Sequence, residues 1–278
     1  MSFIKIKGVI PPMITPFDEN DMADYEKHIH NIKKWNEEEK LELIRLTVEN
    51  RAEGKLVMVG TGMESTRETI TLTNKAAALG ADCALIVTPF YYGGKMNDEA
   101  LIAYYTDVAD KSDIPILIYN VTKYTHVNIS PRAVGILSKH PNIIGMKDSS
   151  GSIPQLVDYK REVDMKEFNL MVGTVSSWFP ALALGVEGTV QALANCCPQE
   201  CIDIQKLYDE GRMEDSRELY ERVFPVNSAV TGAFGIAGLK YVCDRLGFAG
   251  GLVRKPLLQL KDDEKVKLDQ ILETAGII

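Results

Sequence analysis

Short apolar runs alternate with amphipathic stretches along most of the chain. Leu56 to Val59, Cys83 to Thr88, Ile114 to Asn120, Ile143 to Lys147, Phe168 to Val172 and Gly188 to Ala192 have strand length and are too uniformly apolar for a sheet with a wet face. Helical spacing of apolar residues follows each run: Ser65 to Leu79, Asn97 to Ala109, Pro131 to Lys139, Ile153 to Glu162, Trp178 to Leu184 and Gln199 to Glu210. This repetition predicts an α/β fold, a parallel barrel with its helices outside. Upstream, Gly8 to Phe17 reads as a first strand broken by prolines, turning at Thr15-Pro16. From Glu214 to Ile278 the pattern is helical, with bends at Gly232 to Gly238 and Gly247 to Gly251. The expected organisation is a barrel over residues 1–213 and a C-terminal helical cap over 214–278, in one domain unit without a linker.

The rhythm fails once. A helix from about Asp24 to Asn36, marked by Tyr25, Ile29 and Ile32, runs into a second from Glu37 to Asn50 with neither a turn signal nor a strand between them. The pattern therefore holds seven strands, whereas a closed (β/α)8 barrel has eight. The second strand is the one missing, at Trp35 to Glu39, where a strand and its loop would take on the order of 15 to 20 residues. Either the barrel lacks a strand or such a segment is absent from the sequence. The undisturbed downstream pattern favours the second.

Composition narrows the function class. At 278 residues, 45% hydrophobic and 25% charged, the chain is long enough to bury a full core. A formal charge of −8 with no basic run argues against nucleic acid or an anionic membrane as partner and points to small-molecule chemistry. Five cysteines, with no CxxC pair, suit a reducing compartment. Neither a leader nor a spanning apolar run is recognised, so a cytoplasmic protein is expected. The histidines (His28, His30, His126, His140) form no cluster with acids, and Cys197 and Cys201 have no histidine nearby, so no metal is expected.

One residue contradicts its surroundings. Lys147 ends the apolar run Ile143 to Met146, where an ammonium would lose hydration and its pKa would fall, leaving nucleophilic free amine near neutral pH. A Schiff-base lysine needs that property. Active sites of such barrels gather at the C-terminal ends of the strands. Tyr119 ends the run before, and a phenol beside an imine-forming lysine can shuttle protons.

Gly8-Val-Ile-Pro-Pro-Met-Ile-Thr-Pro-Phe17, Val87-Thr88-Pro89-Phe90-Tyr91-Tyr92, Ile118-Tyr119-Asn120-Val121 and Gly145-Met146-Lys147-Asp148-Ser149-Ser150-Gly151 together resemble the pyruvate-dependent class I aldolases and lyases. That family includes dihydrodipicolinate synthase, N-acetylneuraminate lyase and 4-hydroxy-2-oxoglutarate aldolase, and the resemblance spans nearly the whole chain. It implies a (β/α)8 barrel with a C-terminal helical extension, imine formation by Lys147 with a 2-oxo acid, and proton relay by Tyr119. It also implies that Tyr91 reaches a neighbouring subunit's site, hence a homodimer or homotetramer. Ser149, Gly173 and Ala192 would line the pocket, with Thr15 and Tyr124 as further substrate-side candidates, and no cofactor would be required.

Gly62-Met63-Glu64-Ser65-Thr66 and the segments Asn227 to Thr231, Phe234 to Ile236 and Gly238 to Lys240 look most like the 4-hydroxy-2-oxoglutarate aldolase branch. Cleavage of that acid to pyruvate and glyoxylate is the expected reaction; dihydrodipicolinate synthase and 2-keto-3-deoxy sugar-acid aldolase are the alternatives. Two departures matter. Dihydrodipicolinate synthases carry an arginine five residues after the tyrosine, where this chain has Tyr124, with Lys123 and His126 as possible substitute donors. The family's second-strand loop, which binds the pyruvate carboxylate, falls in the missing segment. A catalytically impaired oxo-acid-binding paralogue is therefore the reading of another class.

Overall fold

A computed structural model describes residues 3–17 and 37–278. The helix expected from Asp24 to Asn36, with His28 and His30, and the junction at Trp35 lie outside the described residues. Among the described residues there are seven strands: β1 (Gly8–Ile10), β2 (Met58–Gly60), β3 (Cys83–Val87), β4 (Ile116–Asn120), β5 (Ile143–Asp148), β6 (Asn169–Val172) and β7 (Gly188–Val190). The helices are α1 (Glu37–Asn50), α2 (Thr66–Ala78), α3 (Asp98–Lys111), α4 (Thr122–Thr125), α5 (Pro131–Leu137), α6 (Ile153–Glu162), α7 (Trp178–Ala183), α8 (Pro198–Asp209), α9 (Met213–Ser228), α10 (Gly235–Arg245) and α11 (Asp262–Thr274). This is the expected α/β barrel-type alternation with C-terminal helices, with seven strands among the described residues where a closed (β/α)8 barrel has eight. The predicted boundaries hold within about two residues, with two corrections. Gly8 to Phe17 is strand only over Gly8–Ile10, since prolines at 11, 12 and 16 cannot donate to a ladder. The tail is not helical throughout, because residues 246–261 form turns and extended chain between α10 and α11.

The chain divides into two compact units. The first holds residues 1–7, 37–173 and 183–189. Its strands hydrogen-bond in the order β7-β6-β5-β4-β3-β2, every pair parallel. Helix α1 uses the stripe read from its sequence: Leu41, Ile44 and Val48 pack with Val57 and Val59 of the β2 segment and Ala76 of α2. Capping follows the sequence closely, as Ser65, Asn97, Ser130 and Ser152 each accept a backbone N–H at a helix start. The β4–β5 pairing is irregular: Ile116 pairs Ile143 but Leu117 pairs Gly145, so β5 carries one extra residue at Ile144. Buried Asn169 holds that bulge, donating to the Ile144 carbonyl at 2.9 Å and to the Ile4 carbonyl at 2.9 Å while accepting from Ile6 N at 2.8 Å. Gly145 permits the approach, since a Cβ there would lie 2.4 Å from the Asn169 carbonyl oxygen.

The second unit holds residues 8–36, 174–182 and 190–278, described here outside 18–36. Phe179 stacks on Tyr220 with ring centroids 5.6 Å apart, and the Tyr220 hydroxyl donates to the Ser176 carbonyl at 2.8 Å. Buried Lys240 on α10 donates to the carbonyls of Thr15, Gly250 and Leu252, joining the first-strand segment to the turn after α10. Three carbonyl dipoles satisfy an ammonium that burial would otherwise make costly.

Replacing Asn169 with Leu should destabilise the protein by about 2 to 4 kcal/mol, because it leaves several buried backbone groups without partners. Urea unfolding measures this, and an unchanged midpoint would show that the clamp adds nothing.

Candidate active site

All six residues of β5 are buried, and Lys147 is 6% exposed near the strand's C-terminal end. Parallel pairing sets Tyr119 directly opposite Lys147, and the lysine Nζ sits over the phenol ring, 4.1 Å from its centroid. Two influences on the amine oppose each other. The ring face favours the ammonium by roughly 0.5 to 2 kcal/mol, while burial disfavours it. Burial prevails, and the Lys147 pKa falls from 10.5 to about 7. Near neutral pH a large share of the residue is therefore free amine. Burial pushes the Tyr119 phenol up, and the neighbouring Ser149 hydroxyl offsets only part of this. The phenol consequently stays protonated when the amine does not. That hydroxyl makes no well-formed hydrogen bond of its own, so its influence counts for less than burial.

Backbone bonds level the ends of the strands. Thr88 N donates to the Tyr119 carbonyl at 3.2 Å, Ser149 N to the Asn120 carbonyl at 2.8 Å, and Gly173 N to the Asp148 carbonyl at 2.8 Å. Ser149 and Gly173 thus flank the lysine. A Cβ on Gly173 would lie 1.7 Å from Ser149 Oγ and 2.6 Å from Lys147 Cε, so only glycine leaves room for both side chains. Amine, phenol, an uncommitted hydroxyl and a side-chain-free wall make a nucleophilic site with its own proton carrier.

A sequence model of the dihydrodipicolinate synthetase family matches residues 31–275. The chain belongs to that family. A 4-hydroxy-tetrahydrodipicolinate synthase of Archaeoglobus fulgidus is 31% identical over 292 residues, covering 98% of this chain and 99% of the relative. The enzyme of that name from Bartonella bacilliformis is 32% identical over 295 residues, again covering 98% and 99%. Among solved structures, the dihydrodipicolinate synthase of Thermotoga maritima superposes with a TM-score of 0.90 at 25% identity, covering 98% of this chain and 99% of that one. The Aquifex aeolicus protein gives 0.88 at 27%, covering 98% of both. Dihydrodipicolinate synthetase family members are lyases of the aldolase type working through a lysine imine, and this chain is an enzyme of that class. These relatives favour the dihydrodipicolinate synthase alternative over the expected 4-hydroxy-2-oxoglutarate reaction.

The other candidate residues lie in different settings. Tyr91 is 76% exposed, its ring edge-on to Tyr92 at 4.9 Å. Its backbone N–H donates to Glu64 Oε2 at 2.9 Å, as that of Phe90 does at 3.1 Å. Tyr124 is 68% exposed on the single-turn α4, with Lys123 Nζ 5.6 Å from its ring centroid. His126 ends that turn in the left-handed region at φ 54°. Thr15 and Ala192 belong to the second unit, Thr15 as an acceptor for Lys240 and Ala192 at the start of a 3-10 turn after β7. The sequence reading named Thr88 and Asn120 at strand ends without giving either a role; the Thr88 hydroxyl is buried with no hydrogen-bond partner, and the Asn120 amide reaches Asp148. Among the described residues no group of three or more His, Cys, Asp or Glu is placed to hold a metal, and no helix is long and apolar enough to cross a membrane.

Reductive methylation with formaldehyde should modify Lys147 with a half-maximal rate near pH 7, whereas surface lysines respond near pH 10. A Lys147 profile matching the surface residues would refute its burial as free amine. The same depression makes stability rise with pH between about 7 and 10.5, since over that range the unfolded chain binds the proton and the folded chain does not. Gly173→Ala should sharply slow methylation of Lys147 while circular dichroism stays unchanged.

Proposed function

We propose that the chain forms an imine between Lys147 and the keto carbon of pyruvate and uses it to make or break a carbon–carbon bond at pyruvate C3. The observation that carries this reading is the buried amine, its pKa near 7, lying 4.1 Å from the ring centroid of a protonated phenol at matching strand ends. Free amine attacks the keto carbon, and Tyr119 hands a proton to the departing hydroxyl as the carbinolamine loses water. The resulting iminium is an electron sink. Loss of a C3 proton gives an enamine, C3 attacks an aldehyde carbonyl, and hydrolysis frees Lys147; cleavage runs the same steps backwards. Ser149 and Gly173 shape the space beside the reacting carbon.

The relatives' shared name supports condensation in the direction of 4-hydroxy-tetrahydrodipicolinate as the finer reading. Tyr124 stands where the resembling synthases have arginine, so the aldehyde's carboxylate would take its donors from elsewhere. A cytoplasmic homodimer or homotetramer is the assembly this reading implies, with the exposed Tyr91-Tyr92 turn as the expected contact.

Borohydride added with pyruvate should leave a stable adduct on the Lys147 peptide, forming faster as the pH rises through about 7. Absence of an adduct would leave an oxo-acid-binding paralogue as the better account. Lys147→Ala should abolish turnover, and Tyr119→Phe should slow it by roughly 10² to 10⁴-fold. A Phe variant as fast as the parent would remove the phenol from the mechanism.

A further inference from the structure

Behind the amine and the phenol lies a second matched pair. Successive strand residues point to opposite faces, so the register that sets Tyr119 against Lys147 also sets Asn120 against Asp148 on the other side of the sheet. There Asn120 Nδ2 donates to Asp148 Oδ1 at 2.8 Å. The Asp148 carboxylate also accepts from Ser150 Oγ at 2.6 Å and, more weakly, from Ser150 N at 3.3 Å. Asn120 is held in turn by Asn128 Oδ1 at 2.9 Å and by Ile129 N, which donates to its Oδ1 at 3.3 Å. Both side chains are buried, Asn120 at 0% and Asp148 at 2% exposure.

Buried polar pairs in a sheet this apolar are costly unless fully satisfied. The β5 bulge at Ile144 supplies a reason for this one. Upstream of the site the two strands are already out of simple register, and slipping by one residue would turn every side chain to the opposite face. Such a slip would carry Lys147 away from the phenol. The Asn120–Asp148 bond is available only in the observed register, because a slip removes donor from acceptor.

We propose that Asn120 and Asp148 are positioning residues for the imine reaction, locking the β4–β5 register so that the Lys147 amine and the Tyr119 phenol address the same carbon. This rests on the function proposed above, and the test separates the two. Exchange of pyruvate C3 protons with deuterated solvent requires imine formation and proton relay but no aldehyde, so it reads the site directly. Asp148→Asn sets two amides against each other, and Asn120→Asp sets two carboxylates together. Each should lower kcat for exchange by on the order of 10²-fold, with the pyruvate KM within about threefold of the parent value and cooperative unfolding retained. The double exchange Asn120→Asp with Asp148→Asn restores a donor–acceptor pair in the opposite sense and should recover most of the lost kcat.

Single variants with parental kcat, or a folded double variant no better than the worse single, would overturn the proposal. If the single variants fail to accumulate, Ser150→Ala decides: removing one donor to the same carboxylate should lower kcat several-fold at constant KM, and an unchanged kcat would overturn the proposal. Failure of the function reading looks different, since the parent protein would then show neither borohydride trapping nor exchange.

Discussion

The structure depends on keeping one ammonium out of water. At the end of β5, Lys147 sits among side chains that cannot solvate its charge, and the cation–π contact with Tyr119 recovers less than burial removes. The protein therefore carries at its centre a group that would be more comfortable neutral. What is a cost to the fold is the source of the proposed reactivity, because only a neutral amine is nucleophilic. The same burial acts in the opposite chemical sense on Tyr119, which it keeps protonated. A single environment thus prepares a base-like partner and an acid-like partner on adjacent strands.

Geometry is preserved by devices away from the reacting face. Asn169 holds the bulge at Ile144, Gly145 admits it, and the Asn120–Asp148 bond ties the strand ends beyond. Gly173 keeps the space open next to the lysine. The cation of Lys240 meets burial differently, with three carbonyl acceptors on two segments of the second unit. One buried lysine has its charge satisfied by carbonyls; the other is desolvated, with its pKa lowered to about 7.

Among the described residues the short β2 is paired only with β3, and the sheet counts seven strands where its fold type has eight. Helix α1 still packs its apolar stripe against the β2 segment and α2. The interruption seen in the sequence therefore leaves the downstream packing of the first unit in place, and the Lys147 site lies within that unit.

Much was legible without coordinates. Short uniformly apolar runs and period-3.6 patterning located β2 to β7 and their helices within about two residues, because apolar patterning is a local consequence of which faces must be buried. The motif around Lys147 singled out the buried amine that is the proposed nucleophile, since a charged residue closing an apolar strand is rare on packing grounds. Pairing was not legible. That Tyr119 lies opposite Lys147 depends on an extra residue at Ile144, and no one-dimensional pattern announces a bulge. Asp148 follows Lys147 directly in the chain, yet strand alternation sends the two to opposite faces and gives the carboxylate to Asn120 and Ser150. Tyr91 and Tyr124 carried the right chemistry in sequence and emerged largely exposed, because loop side chains take their direction from the turns that hold them. The sequence by itself determined the elements and the amine. Only tertiary structure decided which groups meet it, because register and burial are properties of strands brought together from distant parts of the chain.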